Sequence, residues 1–441
     1  MRAHLSNAAY GVLDYAAYPV AMLIAAPELL RYMGVPQYGV WVVCTAAVSA
    51  GAIIAAGFGD ANIQYVASMN GRGNREATLH AVRSMLGINL LLGCFFALIS
   101  LALVPLISRH VTLSSGNLYH SCLWALRIAS VLMLVRAIES VCVSTQRAFE
   151  RYGEAVRISI IVRVVTIAGA VIITRYGYGV TSIMVFTFVL MTLGTLAQLV
   201  RLKQQLGAST LSPAFDRQAT TALFSFGTFS WLQAVSSVIF SQADRLILGV
   251  SLGAAAVTSY ALCVQLAQPI YGIAAAGLHF LFPYLSARQA VAQPDVLRKS
   301  VLNAFAANLL FVAVSAAIIL LFGRPLLNAW VGHVIAESSS AVLAPIVWSF
   351  ALLGLGVTAY YSLLAVGRVR IVTGLNLLGG AAMLVLMAWL LPHTGIRGVA
   401  VARLAYGLIT LAMYLPLVRI LIGDSPASLP ATGPHPVCED V

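Results

Sequence analysis

Charge is what this sequence has least of. Only 9% of its 441 residues are charged, and just two of these are lysines, Lys203 and Lys299. A soluble domain typically carries about 25% charged residues, so a single large soluble domain is excluded. Hydrophobic residues instead make up 60% of the chain, and the mean hydropathy is +0.92. The chain is therefore predicted to be an integral protein of the lipid bilayer.

Signatures of metal binding, catalysis and nucleic-acid binding are also missing. The six cysteines form no CxxC spacing and no Cys/His cluster, so neither a metal site nor a disulfide framework is indicated. HExxH, GxSxG and Walker motifs are absent, so no catalytic residue and no enzyme activity are expected. The net charge of +12 comes from basic residues scattered through short loops, which does not indicate a nucleic-acid partner. No cofactor is expected, and a proton or sodium gradient remains open as the energy source.

Apolar runs of spanning length recur from one end of the chain to the other. With about 20 apolar residues per span, they predict an all-α membrane protein of twelve transmembrane helices. The first six fall at 9–30, 38–59, 82–107, 119–146, 157–174 and 178–200, and the second six at 220–243, 254–286, 300–322, 339–366, 370–391 and 398–421.

The basic residues in the loops predict the orientation of these spans. With the N-terminus inside, sixteen Arg and Lys residues fall in cytoplasmic segments and six in the opposite loops. Cytoplasmic loops carry the excess of positive charge. We therefore expect both termini of this multi-pass protein in the cytoplasm.

The most polar internal connection, residues 201–219, divides the chain into two six-helix bundles, predicted at 1–205 and 206–423. A weak internal repeat supports this division, since a basic entry, a span, a Gly-rich turn and a second span recur around Gly177 and Gly395. The remaining segment, 424–441, is rich in Pro, Ser and acidic residues and is predicted to be a disordered cytoplasmic tail. Repeated halves are a common transporter design, with the substrate path between them.

Six charged residues lie more than three residues from the ends of the predicted spans: Asp14, Arg127, Arg136, Glu139, Arg163 and Arg403. At roughly 2.5–3.5 kcal/mol each, they would cost about 15–21 kcal/mol without partners, so partners or a watery cavity must exist. Asp14 and Arg403 lie about six residues inside their helix ends, which favours snorkelling or pairing at the helix end. Asp14 is also a candidate for coupling to an ion gradient. Arg163 is deeper and is the better cavity candidate.

The fourth predicted span holds three of these charges. Arg136 and Glu139 are three residues apart and share a helix face, so they either neutralise each other or both serve a cavity. Arg127 is nine residues from Arg136, which puts it on the opposite side at about 100° per residue. We count all three as cavity candidates. A guanidinium offers a permanently charged bidentate fork to a phosphate.

Amide side chains provide a second set of candidates. Gln265, Gln268 and His279 fall within an arc of about 60° on one helix face, and Gln233 and Gln242 lie on the preceding span. These amides either hydrogen-bond sugar hydroxyls or hold neighbouring helices together. His279 is a candidate for proton coupling, although a single histidine near a helix end also suits a structural role.

A series of short motifs gives the chain a family resemblance. They are Gly34-Val35-Pro36-Gln37-Tyr38-Gly39-Val40-Trp41, Gly57-Phe58-Gly59-Asp60, Gln146-Arg147 to Tyr152-Gly153, Asp244-Arg245-Leu246-Ile247-Leu248-Gly249, Gly253, Val257 to Tyr260, Phe282-Pro283, Gly332 and Gly367-Arg368. With these motifs in this order, the chain resembles members of the MOP exporter superfamily. Within that superfamily it resembles the polysaccharide transporter branch of Wzx-type oligosaccharide flippases. The resemblance covers Tyr10 to Leu421.

The resemblance implies a function. Proteins of that branch pass lipid-linked oligosaccharide repeat units across the cytoplasmic membrane for surface polysaccharide synthesis, through two bundles around a V-shaped cavity. Its implied partners are a polyprenyl-pyrophosphate-linked oligosaccharide and the polysaccharide polymerase and export proteins. Exporters often carry several cavity lysines, and the scarcity of lysine here departs from that pattern. The alternatives are a cation-coupled multidrug exporter of the same superfamily and, from another class, a membrane glycosyltransferase or polymerase.

Overall fold

The computed structural model describes residues 2–71, 73–113, 116–149, 152–216, 220–221, 231–279, 281–288 and 294–422. Within these ranges it describes the side chains of all residues except 2–18, 54–56, 60, 64, 71, 152, 154–156, 283, 286–288, 294–297 and 421–422. All regular secondary structure in the described part is helical. This confirms the all-α prediction.

The helices are long and follow one another with short connections. The first group is α1 (Arg2–Ala55), a 3-10 turn (Ala56–Phe58), α2 (Gly59–Gly71), α3 (Arg75–Thr112), α4 (Gly116–Ala148), α5 (Tyr152–Arg175) and α6 (Val180–Leu206). A helical stretch from Trp231 then continues through a π-helical turn (Ile239–Ala243) into α7 (Asp244–Leu278). The last group is α8 (Leu281–Arg288), α9 (Pro294–Val331), α10 (His333–Ala365), α11 (Val369–Thr394), α12 (Ile396–Leu411) and α13 (Tyr414–Ile422).

These helices make the chain a multi-pass membrane protein. In the described part, eight helical stretches are long and apolar enough to cross a bilayer. Large apolar side chains such as Leu98, Leu310 and Leu321 are exposed on them, as expected of surfaces that contact lipid rather than water. The count of twelve spans stays a prediction. The predicted span 220–243 lies partly, and the predicted tail 424–441 entirely, outside the described residues.

Two glycines break long helices in the same way. Gly34 divides α1 with φ 75° and ψ 165°, and Gly253 divides α7 with φ 81° and ψ 176°. A residue with a Cβ rarely adopts this conformation, whereas glycine adopts it readily. The sequence predicted the first break as a loop between two spans. It placed the second break correctly as well, but it ended the preceding span at residue 243, nine residues before the helix reaches the break.

The segments that follow the two breaks cross at very close range. A Cβ on Gly39 would lie 1.9 Å from the carbonyl oxygen of Ala254, so only glycine permits the crossing. The Thr258 hydroxyl donates a hydrogen bond of 2.8 Å to the carbonyl of Val35. Together these contacts seal one end of the helix assembly, the end that the charge pattern assigns to the outer side.

The core continues from this crossing towards the middle of the assembly. Tyr38 and Tyr260 are fully buried there, in an apolar cluster to which α1, α4, α7 and α10 contribute. Beyond this core the helices separate around a cavity.

Candidate functional site

A cavity of about 1320 Å³ lies between two groups of helices. Residues of α1, α4 and α5 line one wall, and residues of α7, α10, α11 and α12 line the other. The cavity reaches the ends of α4 and α12 at Arg147 and Met413, on the side that the charge pattern assigns to the cytoplasm. It contains most of the predicted site residues: Arg136, Glu139, Arg163, Gln233, Gln242, Gln265, Gln268 and His279.

Arg136 and Glu139 form a salt bridge on the cavity wall. Arg136 Nη1 lies 2.6 Å from Glu139 Oε2, so the two residues pair, and both also line the cavity. The second carboxylate oxygen accepts a hydrogen bond of 2.9 Å from the Ser159 hydroxyl, which in turn accepts one of 3.1 Å from the Gln198 amide. Glu139 is thus held from α4, α5 and α6. The remaining N–H groups of Arg136 have no partner among the described residues, so they are available to a ligand.

Arg163 lies on the same wall of the cavity. It is close enough to act electrostatically on Glu139. Arg147, which the sequence assigned to a cytoplasmic loop, also lines the cavity, nearer its mouth. This wall therefore carries three arginines against one described carboxylate.

Arg403 does not snorkel to a helix end, as one sequence-based alternative had it. Its side chain is only 1% exposed and forms an ion pair with Asp244, which is fully buried. The guanidinium lies over the rings of both Phe240 and Phe350, 4.2 and 4.7 Å from their centroids. It also donates a hydrogen bond of 3.0 Å to the carbonyl of Phe240, inside the π-helical turn.

Asp244 is a functional candidate that the sequence missed. Its carboxylate also accepts a hydrogen bond of 2.7 Å from the Tyr260 hydroxyl. The sequence drew attention to this residue only as part of a motif that carries the family resemblance, since nothing in the sequence links it to Arg403, 159 residues away. The available signal that the helix passes through Asp244 was the pair of apolar runs on either side of it, Val238–Phe240 and Leu246–Leu248.

Arg245 belongs to a helix and not to a loop, contrary to the sequence-based prediction. The sequence placed it in an outer connection, whereas it lies within the helix and lines the cavity. It is eight residues before the Gly253 break, about 12 Å along the axis. Its Nε atom is buried without a partner among the described residues. Removing it from the outer loops strengthens the predicted charge bias.

The cavity glutamines are incompletely hydrogen-bonded. The Gln265 amide donates a hydrogen bond of 3.0 Å to the Tyr38 hydroxyl. This bond joins α7 to α1 and supports the helix-linking alternative for this residue. The side-chain oxygens of Gln233, Gln242 and Gln265 are nevertheless buried without a partner in the described part of the chain. Buried polar groups usually find partners, so these amides remain available to a ligand.

Two predicted site residues fall elsewhere. Arg127 is exposed on the opposite side of α4 and lies 4.8 Å from the centroid of the Trp124 ring. The nine-residue spacing from Arg136 explains this placement, and Arg127 is not a cavity residue. The side chain of Asp14 lies outside the described residues.

Charge defines the chemistry of the cavity. Among the described residues that line it are five arginines, Arg136, Arg147, Arg163, Arg245 and Arg403, and a single acid, Glu139. Arginines exceed acids even when Arg403 is counted with Asp244 and Arg136 with Glu139, so the site attracts anions and repels cations. No described group of three or more His, Cys, Asp or Glu residues is placed to hold a metal ion.

The fold is that of the MOP superfamily transporters. The chain is similar to an inward-facing multidrug resistance MATE family transporter (17% identity, 93% of this chain and 98% of that one, TM-score 0.75). It is similar to the lipid II flippase MurJ in an inward closed conformation (14% identity, 93% and 87%, TM-score 0.75). A MOP superfamily transporter from Pyrococcus furiosus, described as having a binding pocket of reverse polarity, also matches (16% identity, 92% and 95%, TM-score 0.59).

The sequence itself identifies the family. Residues 29–339 match the family described as polysaccharide biosynthesis protein, and the chain belongs to it. Among curated proteins, none matches the chain in sequence.

Proposed function

We propose that this protein is a flippase that moves lipid-linked oligosaccharide repeat units across the bacterial cytoplasmic membrane for surface polysaccharide synthesis. The observation that carries the proposal is the arginine-rich cavity inside a member of a polysaccharide biosynthesis family. The pyrophosphate of a polyprenyl-linked glycan is the anion that such a cavity fits. Arg136 and Arg163 hold this head group, because guanidinium forks bind phosphate oxygens in pairs, while the lipid tail stays in the bilayer.

Transport proceeds by alternating access of two bundles, 1–205 and 206–423. The Gly34 and Gly253 breaks support this division, since they occupy corresponding places in the two bundles and meet at the sealed end. Opening that end requires the contact between Gly39 and Ala254 to separate. Both termini are cytoplasmic, and a proton or sodium gradient drives the cycle.

A cation-coupled multidrug exporter is the second candidate, and the similarity to the MATE transporter favours it. An exporter of cationic drugs needs acidic groups at the centre of its cavity. Here the described acid, Glu139, is already neutralised by Arg136. The charge of the cavity therefore ranks this candidate second. A glycosyltransferase or polymerase ranks lower still, because the similar structures are those of a transporter and a flippase.

Deletion of the gene tests the proposal directly. Lipid-linked repeat units should accumulate in the cytoplasmic leaflet, and polymer output should fall. Unchanged drug susceptibility would exclude the exporter. A normal leaflet distribution with normal polymer output would refute the flippase.

A matched pair of arginine variants tests the head-group role in proteoliposomes. Arg136→Gln, combined with Glu139→Gln to avoid leaving an unpaired acid, should slow translocation of the lipid-linked glycan at least tenfold, the effect of losing about 1.4 kcal/mol of binding. Arg127→Gln lies on the same helix but off the cavity, and it should leave the rate unchanged. Equal effects of the two changes would contradict a head-group site at Arg136.

A further inference from the structure

The two walls of the cavity differ in chemistry. The wall from α1, α4 and α5 is charged, and Trp41 is the single aromatic residue among its described members. The opposite wall carries most of the aromatic and amide side chains. Its charged groups are Arg403, neutralised by Asp244, and Arg245. An anionic head group accounts for the first wall only.

The aromatic rings on the second wall are held in fixed orientations. Tyr360 and Tyr361 lie edge to face, with centroids 5.2 Å apart and ring planes at 74°. His279 meets Tyr361 at 5.6 Å and 80°. The Tyr361 hydroxyl donates a hydrogen bond of 3.3 Å to the carbonyl of Ala275. The rings are thus preorganised at the cavity surface, with Tyr271 beside them on the same wall.

Amides accompany these rings on the same wall. Gln233, Gln242 and Gln265 line this wall, and each has a buried side-chain oxygen with no partner in the described part of the chain. An apolar drug would leave these groups unsatisfied, at a cost of about 1–3 kcal/mol for each buried one. A ligand that offers hydroxyl donors would satisfy them.

We propose that this wall, defined by Tyr271, Tyr360, Tyr361 and the three glutamines, is the subsite for the glycan of the lipid-linked substrate. A sugar ring has an apolar C–H face and a rim of hydroxyls. The C–H face packs on the electron-rich face of a tyrosine ring, and the hydroxyls hydrogen-bond to the amides. The proposal rests on the flippase function, in that the pyrophosphate occupies the arginine wall opposite.

Binding measurements on the purified full-length protein in lipid nanodiscs test whether one wall binds the glycan and the other the pyrophosphate. Two probes are compared: geranyl pyrophosphate, and the same lipid carrying the disaccharide of N-acetylglucosamine. Wild-type protein should bind both, and the glycan-bearing probe more tightly. The variants are Tyr361→Leu and Tyr271→Leu on the aromatic wall, and Arg136→Gln with Glu139→Gln on the opposite wall.

Each leucine variant should weaken binding of the glycan-bearing probe roughly three- to tenfold, as expected for one aromatic contact. Binding of geranyl pyrophosphate should not change, which also shows that the variant is folded. Tyr361→Phe keeps the ring and should recover most of the glycan affinity. Tyr176, which is 78% exposed and off the cavity, supplies the control Tyr176→Leu. The arginine variant should weaken both probes.

The outcomes separate this inference from the proposed function. If the wild type binds geranyl pyrophosphate through Arg136 but the tyrosine variants lose no glycan affinity, the subsite is overturned and the flippase function stands. The subsite also falls if wild-type protein binds both probes equally. If neither probe binds to the wild type, the proposed function fails first.

Discussion

Removing Arg403 gives the sharpest test of how this fold tolerates charge inside the membrane. Arg403→Met leaves Asp244, which is fully buried, without its cation, and leaves the carbonyl of Phe240 without its side-chain donor. Breaking a buried ion pair on one side typically costs about 3–5 kcal/mol, because the remaining charge stays desolvated. Replacing both partners by apolar residues is often nearly neutral. Asp244→Leu combined with Arg403→Met should therefore recover most of the loss.

The expected shift in melting temperature follows from chain length. At about 2.1 cal/mol/K of unfolding entropy per residue, a chain of 441 residues loses about 1 °C for each kcal/mol. Arg403→Met should then lower the melting temperature by about 3–5 °C in detergent. A thiol-reactive fluorescent dye suits the measurement, because Cys44, Cys122 and Cys263 are buried and react only on unfolding.

An exposed ion pair provides the control. Arg175 Nε lies 3.9 Å from Glu28 Oε2, with side chains 61% and 40% exposed. Exposed pairs contribute about 0–1 kcal/mol, so Arg175→Gln should hardly shift the melting temperature. If the Asp244 and Arg403 double variant is as unstable as the sum of its single variants, the two residues are not coupled and the reasoning is refuted.

Two further predictions concern transport. The double variant Arg136→Glu with Glu139→Arg exchanges the two charges of the pair. If the pair were purely structural, this variant would transport as well as the wild type. We expect it to fold but to transport slowly in proteoliposomes, because its arginine lies about one helical turn from the wild-type position. Gly39→Ala should force apart the contact with Ala254, where a Cβ would lie 1.9 Å from a carbonyl oxygen. A cysteine introduced by Gln268→Cys should then react faster with an impermeant thiol reagent added from outside, and unchanged labelling would contradict a seal at this contact.

Helical periodicity allowed several features of the site to be predicted. The three-residue spacing of Arg136 and Glu139 placed both on one face, and they pair on the cavity wall. The same rule separated Arg127 from them, and it lies on the far side of α4. The shared arc of Gln265, Gln268 and His279 also lines the cavity. These placements depend only on local geometry, which a single helix determines.

Other features needed the packed structure. Asp244 and Arg403 are 159 residues apart and belong to different helices. Because they pair, α7 can contain a buried acid, and Arg245 beside it reaches the cavity. A hydropathy pattern treats an isolated acid as the end of a span, since it contains no information on a distant cation.

The sequence by itself determined that this is a helical membrane protein with too much buried charge to lack internal partners. Apolar run length and charge scarcity decide that, because the bilayer admits few alternatives. Only the tertiary structure decided which charges cancel and which remain available to a ligand. Arg403 is neutralised within the protein, Arg136 is only partly satisfied, and the aromatic wall exists only where α7 and α10 pack together, because each of these depends on contacts between helices far apart in the chain.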